Sequence, residues 1–498
     1  MDKEALESIT NLSARRGIII PAFGIYGDLA GFYDYGPIGT AIRHNIEDIW
    51  RKVFITGMNN LEVDTTIVGP EAVFDASGHI ANFVDPIVVC QKCKASFRAD
   101  KILEEHFAKK GEKDRSSAVK KMKPAELGKI LAEQKLKCEK CGNVLPADVS
   151  TFNLMLGTKI GPMGAVTGYL RPETAQGIFM DFKNIFRIYS LKLPIGIGQV
   201  GKAFRNEISP RQVLIRMREF LQMELEFFFD PEEKELRINN QRIDTGKIFQ
   251  TKINFLTREQ QTDGKVDFEP ITVKDAINKG YIPNELFGYM LTIEQEFMRR
   301  LGFKDSAFRF RQHMVEELSH YSGGTIDLEV DIGSKFEEVI GNAYRTDFDL
   351  KNHQLHSKED MSVLNNEKKV LPHVVELSFG LDRLVWTLLA NSLVKDDGRG
   401  WDMLALNNEV SPYRYAIFPL QKDEKLMDKA LEINRTLTER GIATFYSAAG
   451  SIGKRYARAD EVGINSAITV DYQTLEDDTV TVRNIVDAKQ VRKGIGGL

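Results

Sequence analysis

A chain of 498 residues, 42% hydrophobic and 28% charged, has the composition of a soluble globular protein of about two to four domains, with core size not limiting. A net charge of −4 excludes a wholly basic nucleic-acid binder, although a local basic face remains open. Four cysteines in two close pairs argue against a disulfide framework, and no run approaches a membrane span.

The start, MDKEALESITNLSARRG, is acidic and mixed, and Ile18 to Ile20 is too short for a signal core, so a cytoplasmic protein is expected. After Gly36 and Pro37, the apolar positions Ile38, Ile42, Ile46, Ile49, Trp50 and Val53 have helical spacing, with Pro in the first turn. LEVDTTIVGP then reads as a strand ending at Pro70. Cys90 to Cys141 forms a separate unit of mostly helical character. Its stretch from Lys94 to Lys137 holds 13 basic and 7 acidic residues, which fits either a solvated helical face or an RNA contact. Two C-x-x-C pairs, Cys90/Cys93 and Cys138/Cys141, fit a closed tetrahedral zinc site of structural rather than catalytic type; free thiols or a redox pair is the other reading.

Gly196, Gly198 and Gly201 spell G-x-G-x-x-G, but Pro194 precedes them and the strand-like GKAFRNE follows. A dinucleotide-binding turn needs a helix there, so that reading is set aside. From Glu219, the polar residues Gln222, Glu224 and Glu226 alternate with Leu221, Met223, Leu225 and Phe227, which puts the three on one strand face. Carboxylates in a strand flanked by Phe227, Phe228 and Phe229 need a cationic partner, and the arginines before them (Arg205, Arg211, Arg216, Arg218) suit an anion. A nucleotide phosphate and an amino-acid ammonium fit the pair.

The polar segment from Asp230 to about Leu286 reads as an insertion, Met290 to Arg300 as a helix, and Phe308 to Asp349 as strands. In Val374 to Ala390, Glu376, Ser378 and Gly380 share a face at a strand end, and Leu381 to Ala390 has helical spacing. Arg383 stands in that helix's first turn, where the helix dipole disfavours a cation unless an anion is bound nearby. His313, His320, His353, His356 and His373 show no metal-protease spacing and are expected to be structural or substrate-lining. From Ser411 the order strand, helix, strand, helix, strand implies a small mixed α/β domain.

The stretch FRNEISPR, followed by REF and the glutamate strand, resembles motif 2 of the class II aminoacyl-tRNA synthetases and is similar to the homodimeric glycyl enzymes. The helix after Pro37 with its strand resembles motif 1, and Val374 to Ala390 resembles motif 3. RPETAQGIF (Arg171 to Phe179), FDLKNHQLHS (Phe348 to Ser357) and the ending SIGKRYARADEVGI appear in the family's order. The resemblance implies an α+β fold: a seven-stranded antiparallel sheet flanked by helices, a zinc-bearing insertion and a C-terminal α/β anticodon-binding domain. The divisions expected are 1–89 with motif 1, 90–145 for the cysteine insertion, 146–410 with motifs 2 and 3 and an insertion near 231–286, and 411–498.

The activity it implies is ligation of glycine to the 3′ end of tRNA(Gly) through glycyl-adenylate, with ATP and Mg²⁺, in a homodimer without membrane association. Arg205 would bridge substrate carboxylate and α-phosphate. Asn206, Glu207, Met217, Phe220, Val339 and Gly380 would hold the nucleotide, with Glu207 on the adenine amino group and Phe220 stacked on the ring. Arg216 would reach the β- and γ-phosphates, Arg383 would hold the γ-phosphate and cover the adenine opposite Phe220, and Glu338 would bind Mg²⁺. Arg98, Glu173, Glu224, Glu376 and Ser378 would contact glycine in a pocket with no room for a side chain; no editing domain is expected, since glycine has no smaller competitor. Two other readings are a non-catalytic synthetase-like nucleic-acid-binding accessory protein and a class II enzyme for another small amino acid, such as serine or proline. Retention of Arg205, Glu207, Phe220 and Arg383 disfavours the first, and Glu376, Ser378 and RPETAQGIF disfavour the second.

Overall fold

The computed structural model describes residues 3–119, 122–210, 213–238, 241–318, 322–395 and 398–498; Arg211 and His320 lie outside the described residues. Helix α1 (Pro37–Trp50) begins at a proline whose missing N–H costs nothing in a first turn. It buries Ile42, Ile46, Ile49 and Trp50, and its stripe continues into a wider turn at Arg51–Thr56 that buries Phe54. Phe54, Phe297 and Phe379 then meet with ring centroids 4.9 to 5.5 Å apart, joining this helix to the sheet and to the helix behind it.

The central sheet has nine strands: β1 (Leu61–Glu62), β2 (Ile195–Phe204), β3 (Glu219–Phe229), β4 (Lys252–Leu256), β5 (Glu269–Thr272), β6 (Phe308–Gln312), β7 (Thr325–Asp331), β8 (Phe336–Thr346) and β9 (His373–Gly380). Their order is β5-β4-β6-β7-β8-β9-β3-β2-β1. The run β6 to β2 is antiparallel, whereas β4 meets β6 and β1 meets β2 in parallel. The expected seven-stranded antiparallel array is therefore wider and mixed at its edges. The extra width comes from the segment read as an insertion, because its Lys252–Leu256 and Glu269–Thr272 pair onto the sheet rather than standing apart. The strand expected to end at Pro70 is also two: Leu61–Glu62 joins the main sheet, and Val68–Pro70 pairs with Val166–Leu170 in a separate three-stranded sheet.

Helices α2 (Ala175–Ile188), α3 (Glu285–Leu301) and α4 (Leu381–Ser392) cover the sheet. Asn284 caps α3 by accepting from the Phe287 N–H, and Gly302 ends it at φ 105°, a conformation open to glycine. The helix expected over Met290 to Arg300 is thus longer at both ends. The glycine triplet at 196, 198 and 201 lies inside β2, with no helix opening on it. Gly201 is needed there, because a Cβ would sit 2.2 Å from the Arg171 guanidinium. Beyond residue 411, strands at Tyr415–Pro419, Thr444–Tyr446 and Ser466–Val470 alternate with helices Glu424–Glu439 and Ile452–Glu461. Two further strands complete a five-stranded sheet. Among the described residues, no helix is long and apolar enough to cross a membrane.

Candidate active site

Register builds the site. Glu224 on β3 lies opposite Ser378 on β9, and Glu226 lies opposite Glu376. Gly341 and Ala343 on β8 face Ser378 and Glu376 from the other side. Directly paired residues share a sheet face, so carboxylates and hydroxyls gather on one face while Met223, Leu225, Leu377 and Phe379 fill the core on the other. Small residues on β8 leave the space over them open.

At the end of β3 and β9 lies a cleft lined by Arg205, Glu207, Arg216, Met217, Phe220, Glu338, Gly380 and Arg383. Arg205 and Arg383, from distant parts of the chain, therefore face one space. The Arg205 guanidinium stands 5.2 Å from the Phe220 ring and donates to the Pro172 carbonyl. Arg383 donates to the Ile215 carbonyl and pairs with Glu338 at 3.0 Å. Burial pushes the Glu338 carboxyl up, but Arg383, His313 and Arg205 together hold it below its ordinary value. Arg216 pairs with Glu207 at 3.2 Å.

Next to this cleft is a cavity of about 510 Å³ whose lining includes His79, Glu173, Arg205, Gln222, Glu224, His313, Asp327, Glu338, Glu376 and Ser378. Glu224 is buried and accepts from the Thr174 N–H (2.7 Å), the Thr174 hydroxyl, Gln222 Nε2 (2.9 Å) and the Ser378 hydroxyl (2.8 Å). Behind it, fully buried Arg345 donates twice to Asp349 and once to Glu376, and lies 3.6 Å from Glu173. Burial would raise Glu173, yet His79 and Arg345 hold it low. Burial pushes Glu376 up to about 8 in spite of Arg345, and pushes Glu226 well above the usual carboxylate range with Glu376 beside it. Burial and the Glu338 charge raise Asp327 to about 6, opposed by His313 at 2.6 Å and by Arg311.

Residues 166–392 match the family described as tRNA synthetase class II core domain (G, H, P, S and T), and residues 415–497 match the anticodon binding domain. The chain is 34% identical to the glycine–tRNA ligase of Aeropyrum pernix, over 99% of this chain and 95% of that protein. It is 37% identical to that of Archaeoglobus fulgidus (99% and 95%) and 35% identical to that of Methanocaldococcus jannaschii (100% and 98%). The chain belongs to the glycine–tRNA ligase family. A solved Giardia lamblia prolyl-tRNA synthetase in complex with prolyl-adenylate shares the fold, with a TM-score of 0.60 at 13% identity over 99% of this chain and 74% of that one.

Not every residue expected from the glycine–tRNA ligase resemblance falls where expected. Glu173, Glu224, Glu376 and Ser378 meet in the polar cavity, but Arg98 does not line it. Arg98 pairs with Asp85 and Asp100 and borders a separate hollow of about 430 Å³ with Arg216, Lys335 and Arg383. The β-strand Ser96–Arg98 places it on the side of the sheet where Arg216 and Arg383 stand. The Val339 side chain points into the core, so only its backbone faces Gly380. Asn206 is anchored through its N–H to the Leu154 carbonyl and does not line the cleft. The cavity beside Glu224 is not cramped: Gly341 and Ala343 subtract bulk, and its walls are charged rather than close.

Arg345, His79, Thr174, Asp349 and Asp327 went unread in the sequence. Only Thr174 and Asp349 carried a signal, as parts of RPETAQGIF and FDLKNHQLHS. Of the histidines expected to be structural or substrate-lining, His313 lines the cavity, buried His353 bonds Gln176, which donates to Glu173 and Asp349, and His373 bonds Tyr344.

The four cysteines of this family member converge, with their sulfurs all within 4.8 Å of one another. Cys90 and Cys141 are 3.6 Å apart, as are Cys93 and Cys138. Tetrahedral Zn–S bonds of about 2.3 Å require sulfurs about 3.8 Å apart, so the donor set fits a four-sulfur zinc site.

Proposed function

We propose that this protein activates glycine with ATP and transfers it to the 3′ end of tRNA(Gly). The observation that carries the reading is one cleft with Arg205 and Arg383 on its walls, opening beside carboxylates, in a chain of the glycine–tRNA ligase family. In the first step a glycine carboxylate oxygen bonds to the α-phosphorus as the bond to the β-phosphate bridge breaks, releasing pyrophosphate. In the second, the tRNA 3′-hydroxyl attacks the glycyl carbonyl and AMP leaves. Neither step needs a covalent protein group; positioning and charge neutralisation suffice.

Arg205 bridges the glycine carboxylate and the α-phosphate, Phe220 and Arg383 sandwich the adenine, and Arg216 swings from Glu207 to the outer phosphates, freeing Glu207 for the adenine amino group. Met217, Val339 and Gly380 line the nucleotide's path, Val339 through its backbone, while Asn206 stands outside the cleft. Mg²⁺ on the triphosphate would be held by Glu338, one carboxylate being enough beside phosphate oxygens. Glu173, Glu224, Glu376 and Ser378 receive the ammonium. Arg98 stands with the phosphate-side cations. A larger apolar substrate would be refused by the cost of burying its side chain against carboxylates rather than by contact.

The working divisions are a catalytic domain over 1–89 and 146–410, an insertion at 90–145 held by structural zinc on Cys90, Cys93, Cys138 and Cys141, and an anticodon-binding domain over 411–498. A homodimer formed through the motif 1 region and a cytoplasmic setting complete the reading. Amino-acid-dependent pyrophosphate exchange, tried with each amino acid in turn, tests it. Exchange with glycine alone is expected. Exchange with serine or proline alone would move the substrate, and none with any amino acid would favour the accessory reading.

A further inference from the structure

Strand β9 ends at Gly380, paired with Gln222 of β3, and the chain there turns into α4. The next residue along β3, Leu221, keeps its partner Lys202 on β2 but has lost its neighbour on the β9 side. Its N–H is not left unmade: it donates to Asp382 Oδ2 at 2.6 Å. The other oxygen of the same carboxylate accepts from the Tyr35 hydroxyl at 2.5 Å. Asp382 is only 3% exposed and sits in the first turn of α4, next to Arg383.

One carboxylate therefore ties the strand end bearing Phe220 to the helix start bearing Arg383, and both to the strand Tyr33–Tyr35. Packing against the core holds Phe220 and Leu221 on one side only, because a hollow of about 300 Å³ lies against them on the other, walled by Phe23, Tyr35, Arg43 and Lys202. A hydrogen bond to an ionised carboxylate is short and about twice as strong as a neutral one, which suits a single-point clamp over empty space.

We propose that the Tyr35–Asp382–Leu221 bridge is a positioning device that sets the spacing between Phe220 and Arg383, and so the grip on the adenine. Asp382 and Tyr35 touch no substrate; they act through the two residues beside the bridge. The proposal rests on the nucleotide reading of the Arg205–Arg383 cleft.

Tyr35→Phe removes one hydroxyl without emptying volume, and Asp382→Asn places an amide N–H₂ where one of two donors points. MgATP affinity by titration calorimetry and glycine-dependent pyrophosphate exchange are the readouts. Tyr35→Phe should weaken MgATP about 5- to 10-fold and raise the ATP KM alike, with kcat and the glycine KM within twofold; Asp382→Asn should weaken MgATP more. Unchanged MgATP affinity in Tyr35→Phe overturns the bridge. So does a joint fall in kcat and rise in both KM values, which marks a general structural role. If Asp382→Asn fails to fold, Tyr35→Phe decides alone. Wild-type protein that does not bind MgATP ends the nucleotide reading itself, a separate outcome.

Discussion

Replacing Arg345 by Met tests the electrostatic logic of the polar cavity. Arg345 is 1% exposed and meets Asp349 through two hydrogen bonds of 2.7 and 3.0 Å, Glu376 at 3.0 Å and Glu173 at 3.6 Å. Methionine fills much of the same volume without a charge, so the loss is electrostatic rather than steric. Removing one partner of a buried ion pair costs about 3–5 kcal/mol, because the remaining charge stays buried without its counterion. For a catalytic domain of about 350 residues, with an unfolding entropy of about 2.1 cal/mol/K per residue, that is a fall in thermal midpoint of about 4–7 °C.

The pH dependence has a definite sign. Glu376 is raised from 4.5 to about 8 even with Arg345 present, so the folded protein takes up a proton there that the unfolded chain does not. Stability from such a group is fully present below about pH 4.5 and is lost as pH rises through about 8. Without Arg345 the carboxyls rise further, and the deficit of the variant should be larger at pH 8 than at pH 6. Scanning calorimetry at both values measures this. A midpoint within 2 °C of wild type at pH 8, or a larger deficit at pH 6, would refute the reasoning.

Arg205→Ala should lower glycine-dependent pyrophosphate exchange about 10²- to 10³-fold while the thermal midpoint stays near wild type, since the side chain is only partly buried; near-full exchange would remove Arg205 from the reaction. Glu294, fully buried on α3 with Asn342 Nδ2 as its donor, is raised by burial from 4.5 to about 8. Glu294→Gln removes that proton uptake and should stabilise the protein by about 4 kcal/mol at pH 8, with less gain as pH falls; a lower midpoint at pH 8 would contradict it. Metal analysis of the purified chain should find about one zinc per chain. Cys138→Ser should lose it and lower the melting of the insertion without abolishing exchange.

Alternation in Glu219–Phe229 was enough to put Gln222, Glu224 and Glu226 on one strand face, because a period of two is a local property of extended backbone. The same holds for Pro37 at the head of α1, for the helix after Gly380, and for the C-x-x-C pairs whose spacing suits one metal. The family strings around Arg205 and Arg383 likewise pointed to two arginines on one cleft, which both line. What lies across from a strand is not local. The counter-charge for Glu173 and Glu376 comes from Arg345 and His79, neither of which carries a pattern in the sequence.

Sheet width was misjudged for a related reason. Lys252–Leu256 looks like a polar insertion until it pairs beside β6, where its backbone hydrogen bonds are satisfied. The resemblance places Arg98 among the glycine contacts, while the packing of the insertion turns it toward Arg216 and Arg383. Buried charges must be neutralised and backbone groups must be paired, and the sequence alone states those demands. Which distant residue answers each one depends on the register of β3, β8 and β9, which only the folded sheet sets.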